Sequence, residues 1–316
     1  MSDLSIIIVN WNVREMLADC LRSIEKYHGA MDMETIVVDS ASSDGSVDML
    51  KKDFPNVTLL AQSENVGFVR GNNIGLQAAT GKYLMLLNPD THVHAHTLQK
   101  MTRLLDQNPD VGIIGPHTLN PDGTHQSTRR RFPAILTGMF ESTWLQRMFP
   151  LDSFYVKELP DDGTFDVDWV QGSALMTRRE VYEQIGGLDE SYVMYFEELD
   201  FCKRAKKAGW RVLYVGDAYI THHGGGSADQ VQTRKHVHFQ QSKLRYFRKF
   251  YGLPVSFLLR LVLIANYGLQ VLIEGAKLLL GHKPELRRER IKSYGVVLRA
   301  LVGVRSAEEP YTTLQF

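Results

Sequence analysis

The chain has 316 residues, 44% of them hydrophobic, enough for one large α/β domain with a sizeable core plus an appendage. Its 36 lysines and arginines balance 36 aspartates and glutamates, so nothing marks a nucleic-acid binder whose affinity rests on neutralised phosphates. Two cysteines, Cys20 and Cys202, lie far apart and outside any Cys-x-x-Cys pair; they exclude a disulfide framework and suit a reducing compartment.

The N-terminal MSDLSIIIVNWN carries no basic stretch and no small-residue cleavage site. It reads as a first strand, Leu4 to Val9, rather than a leader, which points to the cytoplasm. An apolar face from Val13 to Tyr27, with Met16, Leu17, Cys20, Leu21 and Ile24, predicts a crossover helix. Glu34 to Asp39 follows as strand, Asp44 to Asp53 as helix and Val57 to Ala61 as strand. Beyond a loop rich in glycine and asparagine, Asn73 to Ala79 predicts a short helix and Tyr83 to Leu87 a buried strand. Strands interleaved with helices at this spacing imply an α/β, Rossmann-like, mostly parallel sheet flanked by helices.

Polar residues gather where those strands end, the edge at which open α/β sheets hold ligands. In VVDSASSDGS, Asp39 can accept a hydrogen bond from the imide N–H of a pyrimidine base, while Asp44 serves equally well as a turn or helix-cap residue. ENVGFVRGNNIG offers Asn65, Gly67, Arg70 and Asn72, with glycine permitting close backbone approach and arginine a charge for phosphate. It is neither a Walker loop nor a dinucleotide fingerprint. In KYLMLLNPDT, Asp90 stands at a strand's carboxyl end, as site carboxylate or as simple turn residue. YFEELDFCKRAKKAGW holds Glu197, Glu198 and Asp200 at a helix start, where acids also offset the helix dipole. THHGGGS sets two histidines before glycines, as in a loop that wraps a ligand.

These five segments, in this order, resemble the nucleotide-sugar glycosyltransferases of family 2, inverting enzymes of the GT-A fold, and particularly their rhamnosyltransferase-like members. The resemblance implies that Asn10, Trp11 and Asn12 frame the base with Asp39. It implies a divalent cation, Mn²⁺ or Mg²⁺, on the donor diphosphate. The family's Asp-x-Asp is Asn88-Pro89-Asp90 here; Asp90 keeps the metal role, and Asn88 takes a sugar or supporting one. His223 is the expected second ligand, with His222 its neighbour, and an imidazole favours Mn²⁺. The family pattern gives the catalytic base to the second acid of the pair, Glu198, with Glu197 in reserve; Asp200 orders the loop at the acceptor side. Gln171 and Gly172 line the sugar pocket, and Gly187, Leu188 and Asp189 make the turn leading to the base.

Beyond about Gln230 the composition changes. Arg245, Arg248 and Lys249 precede an apolar stretch, Val255 to Leu280, whose longest uncharged run, Leu261 to Ile273, is short of the ~20 residues of a simple span. With Arg287 to Lys292 following, it reads either as an interfacial helix on a membrane or as part of a helical pair packed on protein, including a second subunit. The implied organisation is a catalytic domain over 1–226 and a C-terminal helical extension over 227–316. The implied function is sugar transfer from a pyrimidine nucleoside diphosphate sugar, dTDP-rhamnose or a UDP-sugar, to a glycan or lipid-linked acceptor in cell-surface polysaccharide synthesis. The enzyme would be cytoplasmic and peripheral on the inner face of the cytoplasmic membrane. Two rivals are a sugar nucleotidyltransferase, which would carry a glycine-rich basic loop that VNWNVREML lacks, and a non-catalytic membrane-associated binding protein, which need not keep Asp90, Glu198 and His223 together.

Overall fold

The computed structural model describes residues 2–126, 128, 130–141, 143, 162–224 and 232–303, and the expected boundary at 226/227 lies outside them. By contacts the chain divides into two compact units. One comprises Met1–Phe132, Phe154–Glu190 and Glu197–Gln230; the other comprises Pro133–Ser153, Ser191–Phe196 and Val231–Phe316.

In the first unit β1 (Leu4–Asn10) is buried along its whole length, as a strand covered on both faces must be. It pairs in parallel with β2 (Met33–Asp39) and β4 (Tyr83–Leu87), and β2 pairs in parallel with β3 (Thr58–Ala61). Helices α1 (Arg14–Tyr27), α2 (Ser46–Asp53) and α3 (Gly67–Ala78) make the crossovers. Asp44 serves two of them: its carboxylate accepts from the Arg14 N–H at the start of α1 (2.8 Å) and from Ser46 N–H at the start of α2 (3.1 Å).

After β4 come β5 (Thr91–Val93), α4 (Thr97–Gln107), β6 (Val111–Leu119), β7 (His125–Gln126), β8 (Thr164–Asp166), β9 (Ala174–Arg178) and β10 (Arg211–His222). The sheet order is β3-β2-β1-β4-β9-β6-β10-β5, with β7 on β6 and β8 on β10. The expected parallel pairing holds from β3 to β4, and β6 with β10 is also parallel. The rest is mixed: β9 enters antiparallel between β4 and β6, and β5 lies antiparallel on β10. Apolar runs buried on both faces read alike in either direction, so the sequence carries no signal for this reversal.

Helix α3 begins at Gly67 rather than Asn73, so Gly67, Arg70 and Asn72 sit on a helix and not in a loop. Asn65 starts it by accepting the Gly67 N–H (2.9 Å), while Ser40 Oγ accepts that of Val66 (2.8 Å). Glycine disfavours helix, yet two of these glycines are required by packing. A Cβ at Gly75 would lie 2.3 Å from Ile7 Cγ2, and one at Gly71 would lie 2.8 Å from Val9 Cγ1.

The second unit contains α5 (Ile135–Phe140), α8 (Gln232–Tyr251), α9 (Leu253–Leu279) and α10 (Pro284–Leu301); α6 (Arg179–Ile185) and α7 (Glu197–Lys207) belong to the first. Buried Lys243 ties α8 to the end of α5 through the Glu141 carboxylate (3.2 Å). Gly75→Ala is expected to lower unfolding free energy by about 1–3 kcal/mol, because overpacking outweighs the gain in helix propensity. Urea denaturation measures it, and an unchanged midpoint and slope would refute the close α3–β1 approach.

Candidate active site

The register of β1 on β2 sets Asn10 beside Asp39 at the strands' carboxyl ends. Asn10 Nδ2 donates to Asp39 Oδ1 (2.8 Å), and the Ser42 N–H donates to Oδ2 (2.9 Å). The Asn10 Oδ1 atom is buried with no hydrogen-bond partner. Asn12, at φ 53, donates its N–H to Ser42 Oγ (3.0 Å) and accepts from the Ser43 N–H (2.7 Å). Ser40 Oγ reaches Asn65 Oδ1 (2.9 Å). Asn10, Asn12, Asp39 and Asn65 thus form one stitched rim, with half-buried Trp11 between the first two. Arg70 is exposed, 3.7 Å from Glu64. Asn72 is buried and donates to Phe68 O on its own helix (2.9 Å).

At the end of β4, Thr91 Oγ1 donates to Asn88 O (2.7 Å) and closes the Asn88-Pro89-Asp90 turn. The β5–β10 pairing sets Thr91 opposite His222, and the His223 N–H continues the ladder to Asp90 O (2.9 Å). The imidazole brought to Asp90 is that of His222, where the sequence pointed to His223: His222 Nε2 lies 3.4 Å from Asp90 Oδ1 and 3.4 Å from Asn88 Nδ2. Strand alternation is the reason. Ile220 and His222 are buried at the end of β10, while His223, one residue on, is exposed. His222 Nδ1 lies 2.8 Å from Gln126 Oε1, an acceptor only, so Nδ1 donates there and Nε2 is the ring nitrogen facing Asp90. Asn88 Oδ1 is buried without a partner. One carboxylate, one imidazole nitrogen and one free amide oxygen form a hard, oxygen-rich set that fits Mn²⁺ or Mg²⁺ sharing a diphosphate. Among the described residues no three His, Cys, Asp or Glu converge, so a cation here would take further ligands from the donor or water.

Helix α7 opens on Glu197 directly after Tyr195 (φ 68) and Phe196 (φ 69), two aromatic residues in the left-handed region. Such backbone persists only where its surroundings impose it. Burial, and then the adjacent Glu198 charge, push the Glu197 carboxyl well above its ordinary range. Burial also raises Glu198, against hydrogen bonds from backbone N–H groups, Gly172 among them, and the Arg130 charge. Gly172 packs on the Glu198 side chain, where an added Cβ would meet Glu198 Cβ at 3.4 Å. Oε2 of each glutamate is buried without a hydrogen-bond partner, as is Oε1 of neighbouring Gln171. Asp200, expected at the acceptor side, is fully buried and accepts from Arg204 Nε (2.7 Å). Arg204 in turn donates to Ile185 O and Gly187 O, so Asp200 helps to order the turn.

A model of the family described as glycosyl transferase family 2 matches residues 5–186. The chain belongs to glycosyl transferase family 2. Its relatives include the N-acetylglucosaminyl-diphospho-decaprenol L-rhamnosyltransferase of Mycobacterium tuberculosis, 27% identical over 221 residues, 63% of this chain and 71% of that protein. The rhamnosyltransferase WbbL of Escherichia coli is 26% identical over 168 residues, 50% of this chain and 61% of that one. Among solved structures, the mannosyltransferase PcManGT from Pyrobaculum calidifontis, in complex with GDP-Man and Mn²⁺, superposes with TM-score 0.53 at 18% identity, covering 96% of this chain and 89% of that one. The fold is GT-A.

Three residues of this family 2 chain that sequence reasoning passed over complete the geometry. Asn73 pins the Gly187-Leu188 turn, accepting the Leu188 N–H and donating to Leu188 O, both at 2.9 Å. Arg130 opposes the Glu198 charge, and Gln126 orients His222. Asn73 lies in the singled-out segment ENVGFVRGNNIG, whereas neither Arg130 nor Gln126 lies in a segment whose composition marks it. The cysteines carry no site chemistry, since burial pushes both thiols up to about 12.

The buried acid has a measurable consequence. A carboxyl raised in the folded state is stable while protonated, and folding loses free energy as pH climbs through that raised pKa. Glu197→Gln keeps the shape without the charge. Its melting-temperature gain over the parent should therefore be near zero around pH 4, the ordinary carboxylate range, and should grow toward pH 8. Scanning fluorimetry without metal or donor reads this, and a gain independent of pH would overturn the buried charge.

Proposed function

We propose that this glycosyltransferase inverts the anomeric centre as it moves a sugar from a pyrimidine nucleoside diphosphate sugar, dTDP-rhamnose or a UDP-sugar, to a hydroxyl of a glycan or lipid-linked acceptor at the cytoplasmic membrane. The observation that carries the reading is the meeting of the Asn88-Asp90 turn with His222 on one sheet edge that also ends in the Asn10–Asp39 rim. Rhamnosyltransferase relatives, one named for a decaprenol-linked acceptor, support the donor and acceptor classes.

In this reading the base sits against Asn10, Trp11, Asn12 and Asp39, where a carboxylate and an unpaired amide oxygen are ready to accept a pyrimidine N–H. Arg70 supplies charge toward the phosphates. Asp90 and His222 would hold the divalent cation, with Asn88 Oδ1 beside them; His222 takes the role the sequence gave to His223. A bound cation would offset negative charge developing on the departing diphosphate. Glu198 deprotonates the acceptor hydroxyl opposite the leaving group, in a single displacement with inversion. Its raised pKa makes it a stronger base than a solvated carboxylate, and the same burial raises Glu197 well above its ordinary range. Gln171 and Gly172 flank the sugar.

Two measurements test these roles. Asp90→Ala and His222→Ala should abolish metal-stimulated turnover across a panel of nucleotide sugars, and the first variant should lose the calorimetric Mn²⁺ signal seen in the presence of nucleoside diphosphate. A folded Asp90→Ala variant that is fully active in excess chelator would sink the metal role, and loss in His223→Ala alone would return the ligand to His223. Glu198→Gln should lower the rate constant roughly 10²- to 10⁴-fold with donor affinity nearly unchanged. If donor binding falls equally, Glu198 belongs to the nucleotide site instead.

A further inference from the structure

Helix α9 is built inside out. Its buried positions include Ser256, Asn266, Tyr267 and Glu274. Ser256 Oγ donates to Leu244 O (2.9 Å), Gln240 Nε2 donates to Tyr267 OH (3.1 Å), and Arg287 donates to Glu274 (2.7 Å). Every exposed residue of the helix is apolar. Phe257, Leu258, Leu261, Leu269, Leu272 and Leu279 recur along one side, with Leu272 at 72% and Leu279 at 90% exposure. An uninterrupted apolar face ~40 Å long is not what water selects on a 27-residue helix.

The charge around that face says what covers it. Residues 232–303 carry fourteen lysines and arginines against three glutamates, in a chain whose net charge is zero. Two copies meeting on this face would bring two strongly basic segments together, whereas a bilayer containing anionic lipid offers both an apolar interior and opposite charge. The helix is long enough to cross a membrane, and its apolar composition agrees. Its packing partner α10 exposes Arg288, Glu289, Arg290 and Lys292 alongside it, however, and a spanning arrangement would drag these charges into hydrocarbon. We propose that α9 lies in the plane of an anionic bilayer surface, with its Phe257–Leu272–Leu279 side among the acyl chains and the basic residues of α8 and α10 at the headgroups. This extends the membrane location in the proposed function and is separable from its chemistry.

Vesicle flotation of the full-length protein tests it, with phosphatidylcholine vesicles compared with vesicles that also contain phosphatidylglycerol. The protein should float with the anionic vesicles, bind severalfold less as ~1 M salt shortens the screening length to about 3 Å, and be released by alkaline carbonate. Leu258→Glu, Leu261→Glu and Leu272→Glu combined change only exposed positions and should lower the partition coefficient about a hundredfold or more. Arg288→Ser with Lys292→Ser should weaken binding to anionic vesicles alone, with melting unchanged, which keeps the test open if the triple variant folds poorly. Undiminished flotation of a folded triple variant, or retention in the membrane after carbonate, would overturn the proposal. A stable dimer that the triple substitution dissociates, without flotation of the parent, would assign the face to a second copy. Donor turnover with a soluble acceptor should survive both variants; a parent that floats but turns over no nucleotide sugar would defeat the chemistry and leave the surface standing.

Discussion

The short antiparallel ladder between Thr91–Val93 and Ile220–His222 is the contact on which the site depends. It brings His222 to Asn88, 134 residues earlier in the chain, so that a turn with one carboxylate meets a strand end with one imidazole. Neither alone would hold the proposed cation, because the turn offers a single carboxylate and the histidine needs a neighbour to set its tautomer. Main-chain hydrogen bonds provide the precision: the His223 N–H on Asp90 O and the Thr91 hydroxyl on Asn88 O leave the two side chains little freedom to separate. The same end of the sheet carries the Asn10–Asp39 pair on the two strands next to β4, because β1, β2 and β4 run parallel.

Against that rigid edge the acid pair is held at an energetic cost. Two consecutive non-glycine residues with φ near 70° cost of order 1–3 kcal/mol each, and two buried glutamates add mutual repulsion. The compensation is visible in named bonds. Asn73 clamps the Leu188 backbone from both sides, and Arg204 joins buried Asp200 to Ile185 O and Gly187 O, so the chain enters the strained segment from a fixed turn. A tuned carboxylate requires such support: without it, the backbone would relax and let water reach Glu198, returning its pKa toward the solvated range.

Where the sequence was legible, the physics was local. Continuous burial of LSIIIVN and YLMLL marks strands covered on both faces, and polar residues after such strands must sit at the sheet edge whatever the fold's details. Illegible features rest on contacts distant in the chain. Gly71 looks like a loop residue until Val9 is seen beneath it, and the fit of Gly75 against Ile7 is equally invisible in the sequence. In the His222–His223 pair, choosing the inward ring requires knowing where β10 ends, because one residue reverses the face. Asp200 reads as a residue that orders the loop, and its partner in doing so, Arg204 four residues on, is seen only in the structure. Direction was lost for the same reason, since the apolar run of β9 pairs equally well either way until its neighbours are known.

Composition misleads in the opposite sense at the C-terminus. A net charge of zero excludes a polyanion binder only if charge is spread evenly, and here the positive excess of residues 232–303 is balanced by an equal negative excess elsewhere. If the proposed membrane contact holds, an anionic surface would attract the helical segment while the rest of the chain carries the opposite excess. In that case the exposed apolar face of α9 would supply short-range adhesion that electrostatics alone cannot, because such a face gains nothing from screened charge and everything from leaving water. Attachment of this kind would confine the search for a lipid-linked acceptor to two dimensions, raising its effective concentration without any added contact in the active site.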